Sequence, residues 1–165
     1  MQGFCEHCSK ATYLVTEFCN RDYLIKGELY TVPVGVAVCP RCLMIVPYEP
    51  LDRFQRHAAC NAYRTAHGLL TGSQIIGIRT MYDLSQRAMA RILGWSPVTI
   101  HRYEQGGIQN RAHDTVLRQA ANDPAFMLRR LDIVRENLSV RGYQRLKASI
   151  LNGAKWGCGR YTSIA

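Results

Sequence analysis

The spacing of apolar residues changes along the chain, from strand-like runs near the amino terminus to helical spacing after about residue 50. The early runs are rich in Val, Tyr, Thr, Leu and Ile and are separated by turn-forming residues, which predicts short β-strands. The predicted strands are Thr12–Phe18, Tyr23–Ile25, Glu28–Val32 and Val34–Val38, with a further short candidate at Leu43–Val46. We expect breaks at Asn20-Arg21-Asp22 and at Pro33, and a hairpin tip at Lys26-Gly27.

Apolar residues then recur at intervals of three and four, which predicts a series of helices. In the first of these, Leu51, Phe54, Ala58 and Ala62 form a modest apolar stripe, and Gly68 is a natural C-cap. The predicted helices are Leu51–His67, Gln74–Tyr82 with Ser73 as its cap, two helices within Leu84–Gly106, one that starts at Arg111 or Asp114, one from Pro124 to about Asn137, and Ser139–Asn152, ended by Asn152-Gly153.

The stretch Leu84–Gly106 predicts two short helices joined by a tight turn. Ser85 is a suitable N-cap for the first helix, and Gly94 is suited to end it because glycine readily adopts the left-handed conformation. Ser96-Pro97 then starts the second helix, as a capping serine followed by a proline at the first helical position. The positions expected to share one core are Met89, Leu93, Ile100 and Tyr103.

The second helix of this pair leaves Thr99, His101 and Arg102 facing outward. A short helix presented in this way can enter a DNA major groove. Two packed helices without any DNA-binding role would show similar spacing, but the charge distribution favours DNA binding. Residues 1–60 contain six basic and six acidic residues, so the net charge of +9 lies wholly in residues 61–165. A basic half of this kind fits a polyanionic partner.

The first part of the chain holds two CxxC pairs, Cys5/Cys8 and Cys39/Cys42, which are separated by thirty residues. Two such pairs are typical of a tetrahedral zinc site, and four thiolate ligands leave no open position for catalysis. We therefore predict one structural zinc ion, with a redox dithiol or an iron–sulfur cluster as the alternatives. His7 is expected to be exposed, and Cys19 and Cys158 to be free thiols. A second metal site at His57 and Cys60 is disfavoured because no further ligand pair is nearby.

A four-cysteine module followed by a helix–turn–helix of this kind resembles the MqsA (YgiT-type) antitoxin family, within the wider XRE/Cro-like group. The resemblance covers roughly residues 1–137. It rests on the cysteine pairs, on Leu84-Ser85-Gln86, Leu93-Gly94 and Arg102-Tyr103-Glu104-Gln105-Gly106, and on Asp123-Pro124. It implies a zinc module that binds and neutralises a cognate toxin, usually an mRNA-cleaving ribonuclease. It also implies a dimeric DNA-binding domain that represses its own operon at a palindromic operator.

The resemblance places a base-reading arginine on Arg102 and an asparagine position on Val98, which cannot make a bidentate contact to adenine. We therefore expect a different operator sequence, with Thr99 and His101 sharing the readout. Ser96 and the helix N-terminus suit a phosphate. Glu104 is expected to act as a structural cap or to form an ion pair within the domain, and His113 to lie at the surface. The expected DNA contacts are Gln86, Ser96, Val98, Thr99, His101 and Arg102, with Arg79, Arg87 and Arg111 as phosphate candidates.

Together these observations predict an α+β protein with a β-rich zinc module followed by an all-α XRE-type domain. The predicted divisions are residues 1–67, a linker at 68–73, the helix–turn–helix domain at 74–137, and a C-terminal helix and tail at 138–165. The chain shows no HExxH, GxSxG or phosphate loop, so we expect no enzyme. It shows no secretory signal or membrane span either, so we expect a cytoplasmic, nucleoid-associated protein. We also expect a homodimer, because a monomer would contact too few bases for useful specificity. The alternatives are a zinc-containing repressor without a toxin and a zinc-ribbon RNA-binding or adaptor protein.

Overall fold

The structure is a computed structural model that describes the backbone of residues 1–157 and the side chains of residues 1–153. Cys158, expected to be a free thiol, lies outside the described residues. The chain divides into two compact units, Met1–Ala66 and a second unit that begins at His67. The first contains two β-hairpins and one helix, and the second is helical. The α+β class predicted from the sequence is thus confirmed.

The first unit begins with a small hairpin and continues with a longer one. Strands β1 (Gln2–Cys5) and β2 (Lys10–Tyr13) pair in antiparallel fashion, and so do β3 (Val15–Ile25) and β4 (Glu28–Val38). The predicted tip at Lys26-Gly27 is confirmed, since both residues have positive φ, 51° and 87°. Residues with positive φ at both turn positions match the twist of a two-residue hairpin.

The predicted breaks within the long hairpin are wrong. Strand β3 runs without interruption through Asn20, Arg21 and Asp22, and β4 runs through Pro33, which lies opposite Asn20. Each strand of a two-stranded sheet has one unpaired edge, so a proline without an N–H group can be accommodated there. The predicted strand at Leu43–Val46 is reduced to a single bridge between Val38 and Ile45.

Helix α1 (Glu49–Ala66) packs against one face of the long hairpin. The predicted apolar stripe is partly wrong, because Phe54 is 73% exposed whereas Gln55 is buried. The Gln55 side chain is satisfied in this position: Oε1 accepts a hydrogen bond from the Tyr23 hydroxyl at 2.7 Å, and Nε2 donates to the Gly35 carbonyl at 3.0 Å. The valines that alternate along β4 complete this small core with Ala59. They are Val32, Val34, Val36 and Val38.

The second unit is built from helices around one apolar core. Its elements are α2 (Gly72–Met81), α3 (Gln86–Leu93), α4 (Pro97–Glu104), α5 (Arg111–Asn122), α6 (Pro124–Ile133), a short 3-10 helix (Arg135–Asn137) and α7 (Val140–Gly157). The fully buried side chains include Ile75, Ile78, Tyr82, Met89, Ile92, Leu93, Ile100, Leu117, Met127, Leu131 and Ile150. The Tyr82 hydroxyl donates to the Ala120 carbonyl at 2.7 Å, so this buried phenol is satisfied.

Most of the helix ends follow local chemistry, with one correction. Helix α2 is capped by Thr71 and not by the predicted Ser73. The Thr71 hydroxyl accepts a hydrogen bond from the Gln74 amide, and the Gln74 side chain accepts one from the Thr71 amide, which completes a capping box. Asn110 is the N-cap of α5, and its side-chain oxygen accepts a hydrogen bond from the His113 amide at 2.7 Å.

The predicted end of α7 at Asn152-Gly153 is wrong, because the helix continues through Gly153. An added Cβ at Gly153 would lie 2.5 Å from the Met81 carbonyl oxygen and 2.8 Å from the Tyr82 ring, so glycine is required here for close packing. Tyr143, Leu146 and Ile150, at intervals of three and four along α7, are buried in the core. Among the described residues, no helix is both long and apolar enough to cross a membrane.

Candidate metal centre and recognition helix

The two CxxC pairs meet in the first unit. The Sγ atoms of Cys5, Cys8, Cys39 and Cys42 all lie within 4.8 Å of one another. The separation is 3.6 Å between Cys5 and Cys42, and 4.0 Å between Cys8 and Cys39. Thiolates about 2.3 Å from a tetrahedral zinc ion are about 3.8 Å apart, so the observed spacing fits zinc. The four sulfur atoms form a group suited to one structural zinc ion.

Both pairs are held by turns of similar design. Cys5 ends β1, and Cys39 directly follows β4. The residue after the second cysteine of each pair, Ser9 or Leu43, has a left-handed φ, 51° and 58° respectively. In the second turn the Leu43 amide donates to the Cys39 carbonyl at 2.8 Å, and the Cys39 amide donates to the Met44 carbonyl at 2.9 Å. These turns aim both pairs of sulfur atoms at one point.

Backbone amides favour the charged form of one sulfur in each pair. The amides of Cys42 and Arg41 donate to Cys39 and lower the pKa of its thiol to about 7. The Cys8 amide lowers the pKa of Cys5 in the same way, although burial and the thiols of Cys42 and Cys39 leave that pKa raised overall. The hydrogen bond to the Cys42 thiol, together with burial, raises the pKa of Cys8 to about 12. Four thiols this close cannot all ionise alone, whereas a divalent cation removes the repulsion between their thiolates.

The remaining sulfur and imidazole groups of this unit do not join the cluster. His7 is exposed, as predicted, and Cys19 is a half-buried thiol on β3. His57 and Cys60 are half-buried on α1, and burial raises the pKa of the Cys60 thiol although Arg64 opposes the shift. Within the described part of the chain, the four-cysteine group is the only set of His, Cys, Asp or Glu residues brought together as a possible metal site.

In the second unit, the predicted helix–turn–helix geometry is confirmed at its caps. The Ser85 hydroxyl accepts from the Ala88 amide at 3.1 Å, and Gly94 ends α3 with φ 75°. The Ser96 hydroxyl accepts from the Val98 amide at 3.1 Å, and Pro97 is the first residue of α4. The predicted core positions Met89, Leu93, Ile100 and Tyr103 are all buried.

The outer face of α4 carries the residues predicted to contact DNA. Ser96, Val98, His101 and Arg102 are exposed, and Thr99 is half-buried. The Arg102 guanidinium lies 5.5 Å from the centre of the Tyr103 ring, and the Gly107 amide donates to the Arg102 carbonyl at 2.7 Å. Hydrogen bonding therefore fixes the backbone of Arg102, and the Arg102 side chain extends into solvent.

Behind this face, Glu104 forms hydrogen bonds with two of the polar residues singled out in the sequence, Arg79 and Gln86. Its carboxylate accepts from Arg79 Nε at 2.6 Å and Nη2 at 3.2 Å, and from Gln86 Nε2 at 2.7 Å. The expected ion pair of Glu104 within the domain is thus present. Arg79 and Gln86 are half-buried in this network, whereas the other two phosphate candidates, Arg87 and Arg111, are exposed.

A cluster of aromatic side chains supports the turn between α3 and α4. This cluster is not among the features predicted from the sequence. His113 was expected at the surface, but it is half-buried and stacked on Trp95 with ring centres 4.1 Å apart. Its Nδ1 lies 2.8 Å from the Tyr103 hydroxyl. Burial, and to a smaller extent the charge of Arg102, lowers the pKa of His113. The aromatic residues Trp95 and Tyr103 at the turn are the sequence signal that could have indicated a stacking partner.

Arg130 is a second supporting residue that was not predicted. It reaches from α6 and donates from Nη2 to the Leu93 carbonyl, at the C-terminal end of α3. An arginine beside the last carbonyls of a helix also interacts favourably with the helix dipole.

Comparison of the sequence with known protein families and with curated proteins does not assign this chain to a family. No family model matches the chain, and no curated protein matches it significantly. The metal cluster and the helical geometry therefore carry the functional argument.

Proposed function

We propose that the protein is the antitoxin of a type II toxin–antitoxin system. In this proposal the first unit binds zinc and neutralises a cognate toxin protein. The second unit binds a palindromic operator through α4 as a homodimer and represses its own operon. The single observation that carries the proposal is that a closed four-thiolate centre occurs in the same chain as an exposed, capped recognition helix.

The support for DNA binding is local and chemical. The exposed guanidinium of Arg102 can pair bidentately with guanine O6 and N7, and His101 and Thr99 offer further donors. Val98, which is 71% exposed, can contact the methyl group of thymine. The amides at the N-terminus of α4 favour a phosphate. Two copies related by a two-fold axis would double these contacts on a palindrome.

The support for a protein partner lies in the first unit. Its surface exposes several large apolar side chains that its own core does not bury. These are Phe4, Tyr13, Phe18, Leu24, Leu29, Leu43, Met44, Ile45 and Phe54. Phe4, Met44 and Ile45 line an open groove beside the cysteine cluster. Exposed apolar patches of this kind mark protein interaction sites.

The competing function is a zinc-containing repressor that has no toxin partner. Co-expression with each neighbouring gene separates the two. An antitoxin restores growth when the neighbour is toxic, and it co-purifies with that neighbour. If neither adjacent gene encodes a toxic protein that is rescued by this chain, the repressor is the better account.

A matched pair of variants locates the neutralising surface. We expect M44D/I45D to lose rescue and co-purification while it retains zinc, because both side chains are about half exposed beside the cluster. I133D/V140D introduces the same two carboxylates at exposed apolar residues of the second unit and should keep full rescue. Equal rescue by both variants would place the toxin contact elsewhere.

A further inference from the structure

The outer face of α7 is strongly basic and is not explained by the recognition helix. The helix Val140–Gly157 contains Arg141, Arg145, Lys147 and Lys155 and no acidic residue. A surface helix usually mixes charges of both signs, which limits self-repulsion. An acid-free helix accumulates positive potential on the side that faces solvent.

The packing of α7 determines which residues face outward. Tyr143, Leu146 and Ile150 are buried, at intervals of three and four. The opposite side presents a row of exposed residues at intervals of four, three and four, namely Arg141, Arg145, Ala148 and Asn152. This spacing keeps the four side chains on one face of the helix, with two guanidinium groups followed by a methyl group and an amide. The two arginines are unpaired, since no carboxylate of the described residues forms an ion pair with either of them.

The carboxylate of the nearby Asp132 forms no ion pair with either arginine among the described residues. This carboxylate accepts from the Tyr143 hydroxyl at 2.6 Å. Two more cations, Arg135 and Lys147, lie over the Tyr143 ring at 5.1 Å and 5.9 Å. The row is therefore flanked by further positive charge.

Arg141 and Arg145 lie in the N-terminal half of α7, where Tyr143 contacts Asp132 of α6. The close packing of Gly153 on Met81 and Tyr82 fixes the C-terminal part of α7 against the end of α2. Three residues after Tyr82, Ser85 caps α3, whose first turn carries the exposed Arg87. Arg145 and Arg141 precede Gly153 by about two and three helical turns, so they extend the basic surface of the second unit toward α6.

We propose that Arg141 and Arg145 bind the phosphate backbone of duplex DNA that flanks the operator core. The inference rests on the proposed DNA-binding function and deepens it. Guanidinium groups spaced one helical turn apart neutralise phosphates without reading bases. Helix α7 therefore adds affinity and lengthens the contacted DNA, and the choice of sequence stays with α4.

The test uses the full chain and a 40-base-pair duplex of random sequence. Each neutralised phosphate contributes a slope of about −0.9 to the plot of log affinity against log salt concentration. R141Q/R145Q should make that slope shallower by about 1.8, whereas R141K/R145K should keep it. R21Q/R56Q removes the same net charge from exposed arginines of the first unit and should leave the slope unchanged.

Hydroxyl-radical footprinting on a DNA sequence selected by the wild-type protein gives a second readout. R141Q/R145Q should lose protection at the edges of the site and keep it at the centre, with an unchanged thermal midpoint. Wild-type slope and footprint in R141Q/R145Q would overturn this inference alone. Failure of the wild-type protein to bind any duplex DNA, or preference for duplex RNA of the same length, would overturn both this inference and the proposed DNA-binding function.

Discussion

Arg79 and Glu104 form a two-point ion pair beneath the recognition helix, at 2.6 Å and 3.2 Å. The pair joins the last turn of α2 to the last residue of α4, and the side chains are 18% and 3% exposed. Arg79 Nη1 also donates to the Leu84 carbonyl at 2.8 Å, just before α3 begins. One guanidinium group thereby joins α2 to α4 and to the segment that leads into α3.

Removal of one partner of this pair should be costly because it leaves the other charge buried. We expect Glu104→Ala to reduce the free energy of unfolding by about 3–5 kcal/mol. In the double variant R79M/E104L, apolar side chains replace both charges and should recover much of that loss. Urea unfolding of the single and double variants measures both effects.

The exposed pair Arg129–Asp123 provides a matched control, since its side chains are 65% and 45% exposed. Arg129→Ala should cost less than about 1 kcal/mol. A cost for Glu104→Ala no larger than that of Arg129→Ala would show that the buried pair does not hold the helices together.

The cysteine cluster predicts one zinc ion per chain. We expect removal of the zinc ion to unfold the first unit. Cys39→Ser removes the sulfur whose pKa the amides of Cys42 and Arg41 lower to about 7, and it should abolish zinc binding. The free thiols Cys19 and Cys60 allow C19S and C60S as controls, which should retain one zinc. Elemental analysis and circular dichroism before and after chelation measure the metal content and the loss of structure.

Zinc affinity should also fall as the pH is lowered, because protons compete with the metal for the thiolates. Full zinc content in Cys39→Ser, or an unchanged fold after chelation, would contradict a structural role for the metal.

His113 predicts that the stability of the second unit depends on pH. Its pKa is lowered in the folded state by burial and by Arg102, so the unfolded chain binds a proton more readily. The stability that depends on neutral His113 is therefore present above the unfolded pKa of about 6.5 and is lost as the pH falls through the folded pKa.

The measurement is the difference in unfolding free energy between the wild-type protein and His113→Gln at pH 7.5, 6.5 and 5.5. We expect the wild-type advantage to shrink as the pH falls, and zinc release affects both proteins alike. A difference that is constant or grows on acidification would mean that His113 is not held neutral by its surroundings.

Local chemistry predicted the helix–turn–helix well because each cap is a contact between close neighbours in sequence. Ser85, Gly94 and Ser96 act through amides or backbone angles within three residues, so a sequence reading can find them. The cysteine pairs were equally clear, because each spacing encodes one turn. The capping of α2 by Thr71 is also a contact between near neighbours, and Gln74, three residues later, is the sequence signal that indicates it.

The remaining differences arise from contacts between distant parts of the chain. Gly153 lies within a helix, and glycine is needed there because Met81 and Tyr82 leave no room for a side chain. His113 is half-buried because its ring stacks on Trp95. Gln55 is buried because Tyr23 and Gly35 form hydrogen bonds with its side-chain amide. Apolar periodicity does not encode such partners, since each depends on how separate elements pack.

The exposed face of α4 makes Arg102 the central residue of the proposed DNA readout. Selection of duplexes from a random pool with the wild-type protein should enrich a palindrome with half-sites about 34–36 Å apart. Arg102→Ala should bind the selected site more weakly by about 1–3 kcal/mol and lose preference at one base pair of each half-site, with little change on random DNA. An equal loss on selected and random DNA, or no enrichment by the wild-type protein, would contradict the account.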